Sequence, residues 1–342
     1  MIPTPTTFSF DHFYTTVNAY FRTSAVKAAI ELGVFDAVGE QGSTLAEIAR
    51  ATNAFERGIR ILCRYLVAIG FMKQRDETYY LTREMSMFLE RKSPGYLGSS
   101  IEFLLSPYIM GAFRDLTMVV RTGELTIPEN GVVAADHPQW VQFARAMDCM
   151  MSLPSMLLAE VADPRPDRPL RVLDLACGHG RFGIAIAQRN PHAHVTFVDW
   201  DNVLGVAREN VIRAGIGTRC DFRPGSAFDV ELGEGYDVVL LTNFLHHFDE
   251  PACERVLRRV HAALSNGGRA LTFEFVFNED RVSPILSSTF SMMMLCTTPA
   301  GEVYTFSDMK RMSEKVGFGY VELKAIPPAQ ERVIVSHRGH AT

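Results

Sequence analysis

The chain is poor in the features that define several protein classes. None of its six cysteines (63, 149, 177, 220, 253 and 296) belongs to a Cys-x-x-Cys pair, so neither a zinc site nor a disulfide framework is expected, and the thiols suit a reducing cytoplasm. No apolar run is long enough to cross a bilayer, and the N-terminal MIPTPTTFSFDHF lacks the basic-then-apolar layout of a signal peptide. A basic excess is missing as well. With 34 Lys+Arg against 39 Asp+Glu the formal net charge is −5, the wrong sign for a nonspecific nucleic-acid binder. There is no internal repeat and no low-complexity tract. What remains is a 342-residue chain, 47% hydrophobic and 21% charged, ordinary for a soluble globular protein of one large or two smaller domains. A cytoplasmic enzyme is expected.

Over residues 10–33, Phe13, Val17, Tyr20, Phe21, Ala25, Ala28 and Leu32 are spaced for one helical face, which would serve a core or a dimer. In STLAEIARAT, Ser43 or Thr44 can cap a short helix, with Glu47 placed to complete a capping box. FERGIRILCRYLVAIG predicts a longer amphipathic helix with Ile59, Leu62, Cys63, Leu66 and Ile69 inward, ending at Gly70. FMKQRDETYYLT reads as two short strands around a polar turn, Arg75–Thr78. Helix, short helix, long helix and hairpin outline a winged helix. Arg57, Arg60 and Arg64 share a face of the long helix, so DNA reading stands as an alternative to a structural or dimerisation role. The acidic neighbours Glu56, Asp76 and Glu77 weigh against it.

Residues 93–162 predict connecting helices over GYLGSSIEFLLS, YIMGAFRDLTMVVRTG and PQWVQFARAMDCMMSLPSMLLAEVA, with a turn-rich stretch, LTIPENGVVAADHP, between the last two. Met110, Met118, Met147, Met150, Met151 and Met156 can be adaptable core filler or the wall of a flexible pocket for an aromatic molecule. The proline-rich DPRPDRP (163–169) marks a domain boundary. Beyond it RVLDLA, HVTFVD, CDFRPG, YDVVLLTN and RALTFEFVF alternate with helical runs, the pattern of a parallel sheet covered on both faces. GYVELKAIP and ERVIVSHR then form a terminal hairpin, which places one antiparallel strand in that sheet. His192 and His194 have no acidic or cysteine partner nearby in sequence and are read as surface residues, not metal ligands.

The stretch Leu170–Gly183, LRVLDLACGHGRFG, matches G-x-G-x-x-G literally, and Asp199 follows where a dinucleotide-binding fold keeps its ribose acid. Three features point elsewhere. Asp174 ends the strand before the turn, where a pyrophosphate would be repelled; Asn266-Gly267-Gly268 precedes a strand that ends on Glu274; and the chain closes with a reversed hairpin. Together these resemble the class I S-adenosylmethionine-dependent methyltransferases. The full-length outline resembles the caffeic-acid-type O-methyltransferase family and its bacterial relatives: winged-helix region 1–92, helical linker 93–169 and Rossmann-like doubly wound α/β domain 170–342.

That resemblance implies S-adenosylmethionine as cofactor, S-adenosylhomocysteine as product, a small-molecule acceptor and a homodimer, with no nucleic acid, membrane or metal partner. It assigns Asp174, Ala176, Gly178, Gly180, Asp199, Trp200, Ser226, Ala227, Phe228 and Asn243 to the cofactor. Ala176 stands where the family motif has its first glycine, and Ser226 where an acid is frequent. In TNFLHHFDE the resemblance makes His246 a general base, oriented by Glu274 and Glu302; Phe143, Met147, His247 and Met293 would meet the acceptor. His247 replaces an aspartate common in the plant enzymes, and Thr242 occupies a lysine position. The residue types suit the chemistry, because a phenol of pKa about 10 is a poor nucleophile until a base takes its proton. Pocket shape would rest on Phe103, Phe143, Met147, Met150, Phe290 and Met293. The expected reaction is O-methylation of a phenol or enol. Nitrogen or carbon as acceptor, a non-methylating use of the cofactor, and a ligand-sensing regulator remain open; neither an Asn/Asp-Pro-Pro-Tyr segment nor a Pro-Cys pair supports a nucleic-acid substrate.

Overall fold

The computed structural model describes residues 8–127 and 137–339, and the chain divides into two compact units at Ile101/Glu102. The first unit is helical around a small antiparallel sheet of β1 (Ser43–Thr44), β2 (Lys73–Arg75) and β3 (Thr78–Tyr80), ordered β1-β3-β2. Its short helix Leu45–Ala51 starts on the expected capping box: the Thr44 hydroxyl accepts from the Glu47 N–H, and the Glu47 carboxylate accepts from the Thr44 N–H. The longer helix, Glu56–Ala68, buries Ile59, Cys63 and Leu66 against Ala29, Phe35, Ile48 and Tyr79.

The single helix expected over 10–33 is two, Phe10–Val17 and Ala19–Leu32, separated at Asn18. Only Ala29 and Ile30 of these are buried. Phe10, Phe13, Tyr14, Val17, Tyr20 and Phe21 are exposed, so of the two uses expected for this face, a core or a dimer, most of it does not serve the core of this chain.

The second unit is built on a seven-stranded sheet of β4 (Leu170–Leu175), β5 (Ala193–Asp199), β6 (Cys220–Pro224), β7 (Tyr236–Thr242), β8 (Leu264–Glu274), β9 (Tyr320–Ala325) and β10 (Arg332–His337). The order is β6-β5-β4-β7-β8-β10-β9. Strands β4 to β8 are parallel, and β10 runs antiparallel to β8 and β9, which is the predicted terminal hairpin. Both faces are buried, so the parallel strands read as continuous apolar runs rather than alternating ones. Val172, Val195, Phe197 and Phe273 pack on one face with Phe182 and Ile186; Leu173, Leu175, Val239 and Leu241 pack on the other with Val256 and Leu257. Asn266-Gly267-Gly268, expected ahead of a strand, lies within β8, where the pairing with β7 loses register.

Strand order reverses between β4 and β7, and such a switch point opens a crevice at the carboxyl ends of the strands. The helices Pro138–Met147 and Ser152–Ala162 belong to this same unit. The second packs on helix Arg181–Arg189. Residues 128–136 of the expected turn-rich stretch lie outside the described residues.

Candidate active site

At the carboxyl end of β4 the chain turns through Ala176, Gly178 and Gly180, with φ of 56°, 55° and 73°. These left-handed conformations are least costly for glycine, which is why the turn is built from small residues. The Gly178 N–H donates to Asp199 Oδ2 (2.8 Å) and the Trp200 N–H to Asp199 Oδ1 (2.7 Å). The Gly178 bond fastens the end of β5 to the turn, and the Trp200 bond fixes the Asp199 carboxylate at the strand end. A side chain at Gly178 would meet no protein atom within 4 Å, so the turn is open there. Gly183 is the opposite case. A Cβ on it would come within 2.6 Å of Phe197, 2.8 Å of Val195 and 2.9 Å of Asp174 Oδ2.

Asp174 lies beneath the turn, wholly buried. Its Oδ2 accepts from the Gly183 N–H (2.9 Å), and its Oδ1 has no partner among the described residues. Burial pushes this carboxyl up to about 8; the Gly183 bond opposes the shift and the charge of Asp199 adds to it. Burial likewise raises Asp199 to about 6 against its two backbone bonds. Within the turn, His179 Nδ1 accepts from the Arg181 N–H (3.1 Å), which puts the ring proton on Nε2. Burial lowers His179 to about 4 and keeps it neutral. Arg181 Nε in turn donates to Asp148 (2.6 Å), tying the turn to the segment between helices Pro138–Met147 and Ser152–Ala162.

A cavity of about 490 Å³ runs from Asp199, Trp200, Ser226 and Phe228 to His246, Phe290 and Met293, within the roughly 300–1,000 Å³ of small-molecule sites. At the second end His246 and His247 form a short helical turn after β7. Glu274 closes β8 and holds that turn in place: its Oε1 accepts from the N–H groups of Phe244 (2.9 Å) and Leu245 (2.8 Å), and its Oε2 bonds His246 Nδ1. A carboxylate can only accept, so Nδ1 carries the proton and the Nε2 lone pair is left available. Phe290 meets the His246 ring edge-on at 4.6 Å. His247 Nδ1 donates to the Phe244 carbonyl (3.1 Å). Burial first, then the charge of His246, lowers its proton affinity far below that of a free imidazole, so His247 is neutral with its own Nε2 lone pair. Its ring packs on Trp140, 5.2 Å away.

Residues 130–319 match the O-methyltransferase domain family and residues 14–91 the O-methyltransferase dimerisation domain. The chain belongs to this O-methyltransferase family. It is similar to a 3-hydroxy-5-methyl-1-naphthoate 3-O-methyltransferase of Streptomyces sahachiroi, 29% identical over 81% of each chain. An 8-O-methyltransferase of tetracenomycin synthesis in Streptomyces glaucescens is 27% identical, over 90% of this chain and 91% of that one. Among solved structures, one from Nostoc punctiforme described as a candidate O-methyltransferase has a TM-score of 0.92 and 46% identity, covering 97% of this chain and 100% of that one. The protein is thus an S-adenosylmethionine-dependent O-methyltransferase.

In this enzyme most of the residues expected at the site come together. Ala176, Gly178, Asp199, Trp200, Ser226, Ala227, Phe228, Asn243, His246, His247, Phe143, Met147 and Met293 all line the cavity. Asp174, Gly180 and Glu274 stand behind it. Gly180 packs toward Ala207 and Phe197, and Ser226 spends its hydroxyl oxygen on the Phe228 N–H (3.1 Å). Glu302 is a correction. It was expected as a second acid orienting His246, yet its side chain is exposed and it is absent from the cavity wall. The chain turns inward only after it: Val303, Tyr304 and Thr305 are buried, and Glu302 is left on the outer side of that stretch. The second carboxyl at this end is Glu331, 7% exposed and lining the cavity.

Sequence reasoning missed Glu331, His179 and Trp140. His179 sits in the middle of the glycine turn and could have been found there. Glu331 is an acid at the mouth of a hairpin, and nothing in its neighbours in sequence marks it.

Proposed function

We propose that this enzyme methylates a hydroxyl on an apolar aromatic small molecule, with His246 as the general base. The observation that carries the reading is the His246–Glu274 pair. It commits Nδ1 and leaves Nε2 as the accepting nitrogen in a cavity walled by Phe103, Trp140, Phe143, Phe275, Phe290 and Met293. The names of the relatives, one for a hydroxymethylnaphthoate and one for an 8-O-methylation in tetracenomycin polyketide synthesis, support an aromatic acceptor.

The residues at the other end suit the cofactor. Asp199 has both oxygens held by backbone N–H groups and still faces the cavity, so its remaining lone pairs match the two neighbouring ribose hydroxyls. Trp200 and Phe228 offer flat apolar surface for adenine, bordered by Ser226 and Ala227, while Ala176, Gly178, His179 and Asn243 surround the remainder. The buried Oδ1 of Asp174 has no partner among the described residues and would serve the methionine end of such a ligand. When bound, S-adenosylmethionine supplies a methyl group on sulfonium sulfur, which is transferred in line to the acceptor oxygen. His246 Nε2 takes the hydroxyl proton as the new O–C bond forms, and Glu274 stabilises the resulting imidazolium. Aromatic and methionine side chains keep water out and hold the acceptor collinear with the methyl group, where positioning provides much of the rate. His247, neutral, is an acceptor that orients the substrate.

The functional division is 1–92 for dimerisation, 93–169 for helices contributing to the acceptor pocket, and 170–342 for the cofactor. The match to a dimerisation domain and the exposed Phe10, Phe13, Tyr14, Val17, Tyr20 and Phe21 support a homodimer. No disulfide joins any of the six cysteines, which suits a cytoplasmic location.

His246→Ala tests the base. Turnover is expected to fall about 10²–10⁴-fold while calorimetric affinity for S-adenosylhomocysteine is retained. Turnover within threefold of wild type would remove His246 from the mechanism.

A further inference from the structure

Glu331 is 93% shielded (7% exposed) and contributes to the cavity wall at the His246 end. It lies one residue before β10, where Arg332 pairs with Glu274 across to β8. The residue directly after β8 is Phe275, which also lines the cavity and stacks on Phe290 at 4.5 Å. Glu331 therefore enters the acceptor end from the strand hairpin, on the side of the two phenylalanines.

No side chain among the described residues is hydrogen-bonded to its carboxyl. Arg332, its neighbour, turns away and donates to Asn278 Oδ1 (2.9 Å). The backbone N–H groups of Gln330 and of Glu331 support the charged form, whereas burial, the largest influence, and the nearby Glu274 charge raise its proton affinity. None of the described residues lining the cavity is Lys or Arg. The charge of His246 favours the Glu331 carboxylate, but no side chain among the described wall residues donates to it the hydrogen bond that is usual for a carboxyl this buried.

We propose that Glu331 is a specificity residue that takes a hydrogen bond from a second O–H or N–H donor on the aromatic acceptor, beside the hydroxyl that is methylated. The proposal rests on the aromatic-hydroxyl reading above. A carboxylate on the acceptor would meet Glu331 in this cavity and no Lys or Arg among the described wall residues.

The test compares three acceptors at saturating S-adenosylmethionine: naphthol, a vicinal dihydroxynaphthalene and a hydroxynaphthoate. Ratios of kcat/KM are taken within each enzyme, so that any defect shared by all acceptors cancels. Wild type is expected to favour the diol over naphthol by about tenfold to a hundredfold, the range for a hydrogen bond to a charged group, with the hydroxynaphthoate poorest. In Glu331→Leu the diol-to-naphthol ratio is expected to collapse toward the intrinsic reactivity of the two compounds, and the hydroxynaphthoate to rise relative to naphthol. Glu331→Gln, which keeps shape and an accepting oxygen, should retain part of the preference. The same order should appear in acceptor binding to the S-adenosylhomocysteine complex, read by quenching of the two tryptophans, Trp140 and Trp200, which both line the cavity. A merely structural role would lower all three acceptors together. Wild-type ratios in Glu331→Leu would overturn the proposal while leaving the aromatic acceptor standing. If wild type methylates none of the three, the aromatic-hydroxyl reading fails, and the role of Glu331 falls with it.

Discussion

Replacing Glu274 by glutamine alters one atom in the site and sets the tautomer of the base. Glu274 Oε1 receives two backbone N–H groups, from Phe244 and Leu245, while Oε2 receives His246 Nδ1–H. Glutamine has a single oxygen. Its amide nitrogen cannot face the two backbone donors, so the oxygen takes their place and the NH₂ turns to His246. Nδ1 must then accept, the ring proton moves to Nε2, and the nitrogen that should take the acceptor proton already carries one. The geometry of the turn survives and the base does not. The general-base contribution of about 10²–10⁴-fold should be lost, about 3–5 kcal/mol on the barrier. Weakening two charge-assisted backbone bonds to neutral ones should lower the melting temperature by only a few degrees.

Single-turnover methyl transfer measured by rapid quench, with S-adenosylhomocysteine affinity measured in parallel, separates chemistry from binding. Adding His246→Ala to Glu274→Gln should cost little more than either alone, because the two act as a unit. A Glu274→Gln enzyme within tenfold of wild type, or additive losses in the double variant, would refute the tautomer argument.

Three other outcomes follow from the same structure. Asp174 is raised from 3.8 to about 8 in the folded chain, so the fold holds its proton where the unfolded chain has released it; this contribution is complete below pH about 4 and is lost as pH rises through about 8. Ligand-free enzyme should melt lower at pH 9 than at pH 5 in calorimetry, and Asp174→Asn should flatten that slope; an unchanged slope removes Asp174 as its source. Gly183→Ala forces a Cβ within 3 Å of Phe197, Val195 and Asp174 and should cost about 1–3 kcal/mol by overpacking, read as a lowered urea midpoint. Phe13→Asp with Val17→Asp places charges on the exposed apolar face of helix Phe10–Val17 and should convert a dimer to a monomer in sedimentation velocity; an unchanged sedimentation coefficient would move the interface elsewhere.

Local chemistry was legible in the sequence because it depends on neighbours along the chain. The Thr44–Glu47 capping box, the strands around Asp76, the small-residue turn after β4 and the terminal hairpin all stand where residue type and spacing predicted them. The His246–Glu274 pair was expected from the family resemblance, and the sheet explains it: each residue lies at or just beyond the carboxyl end of a parallel strand, and neighbouring strands bring those ends together.

Other features were decided only by tertiary packing. The aromatic stripe over residues 10–33 predicts burial but not what buries it, and the fold leaves it outward. Glu302 is exposed while Val303, Tyr304 and Thr305 directly after it are buried; packing sets that boundary, and spacing in sequence cannot resolve it. Glu331 reaches the acceptor end because β10 pairs antiparallel with β8, carrying a residue 85 positions beyond His246 to its cavity. Type and spacing along the chain specified the small-residue turn after β4, and the family resemblance singled out His246. Which second carboxyl meets the acceptor was set by strand register, a property of two distant segments together that neither carries alone.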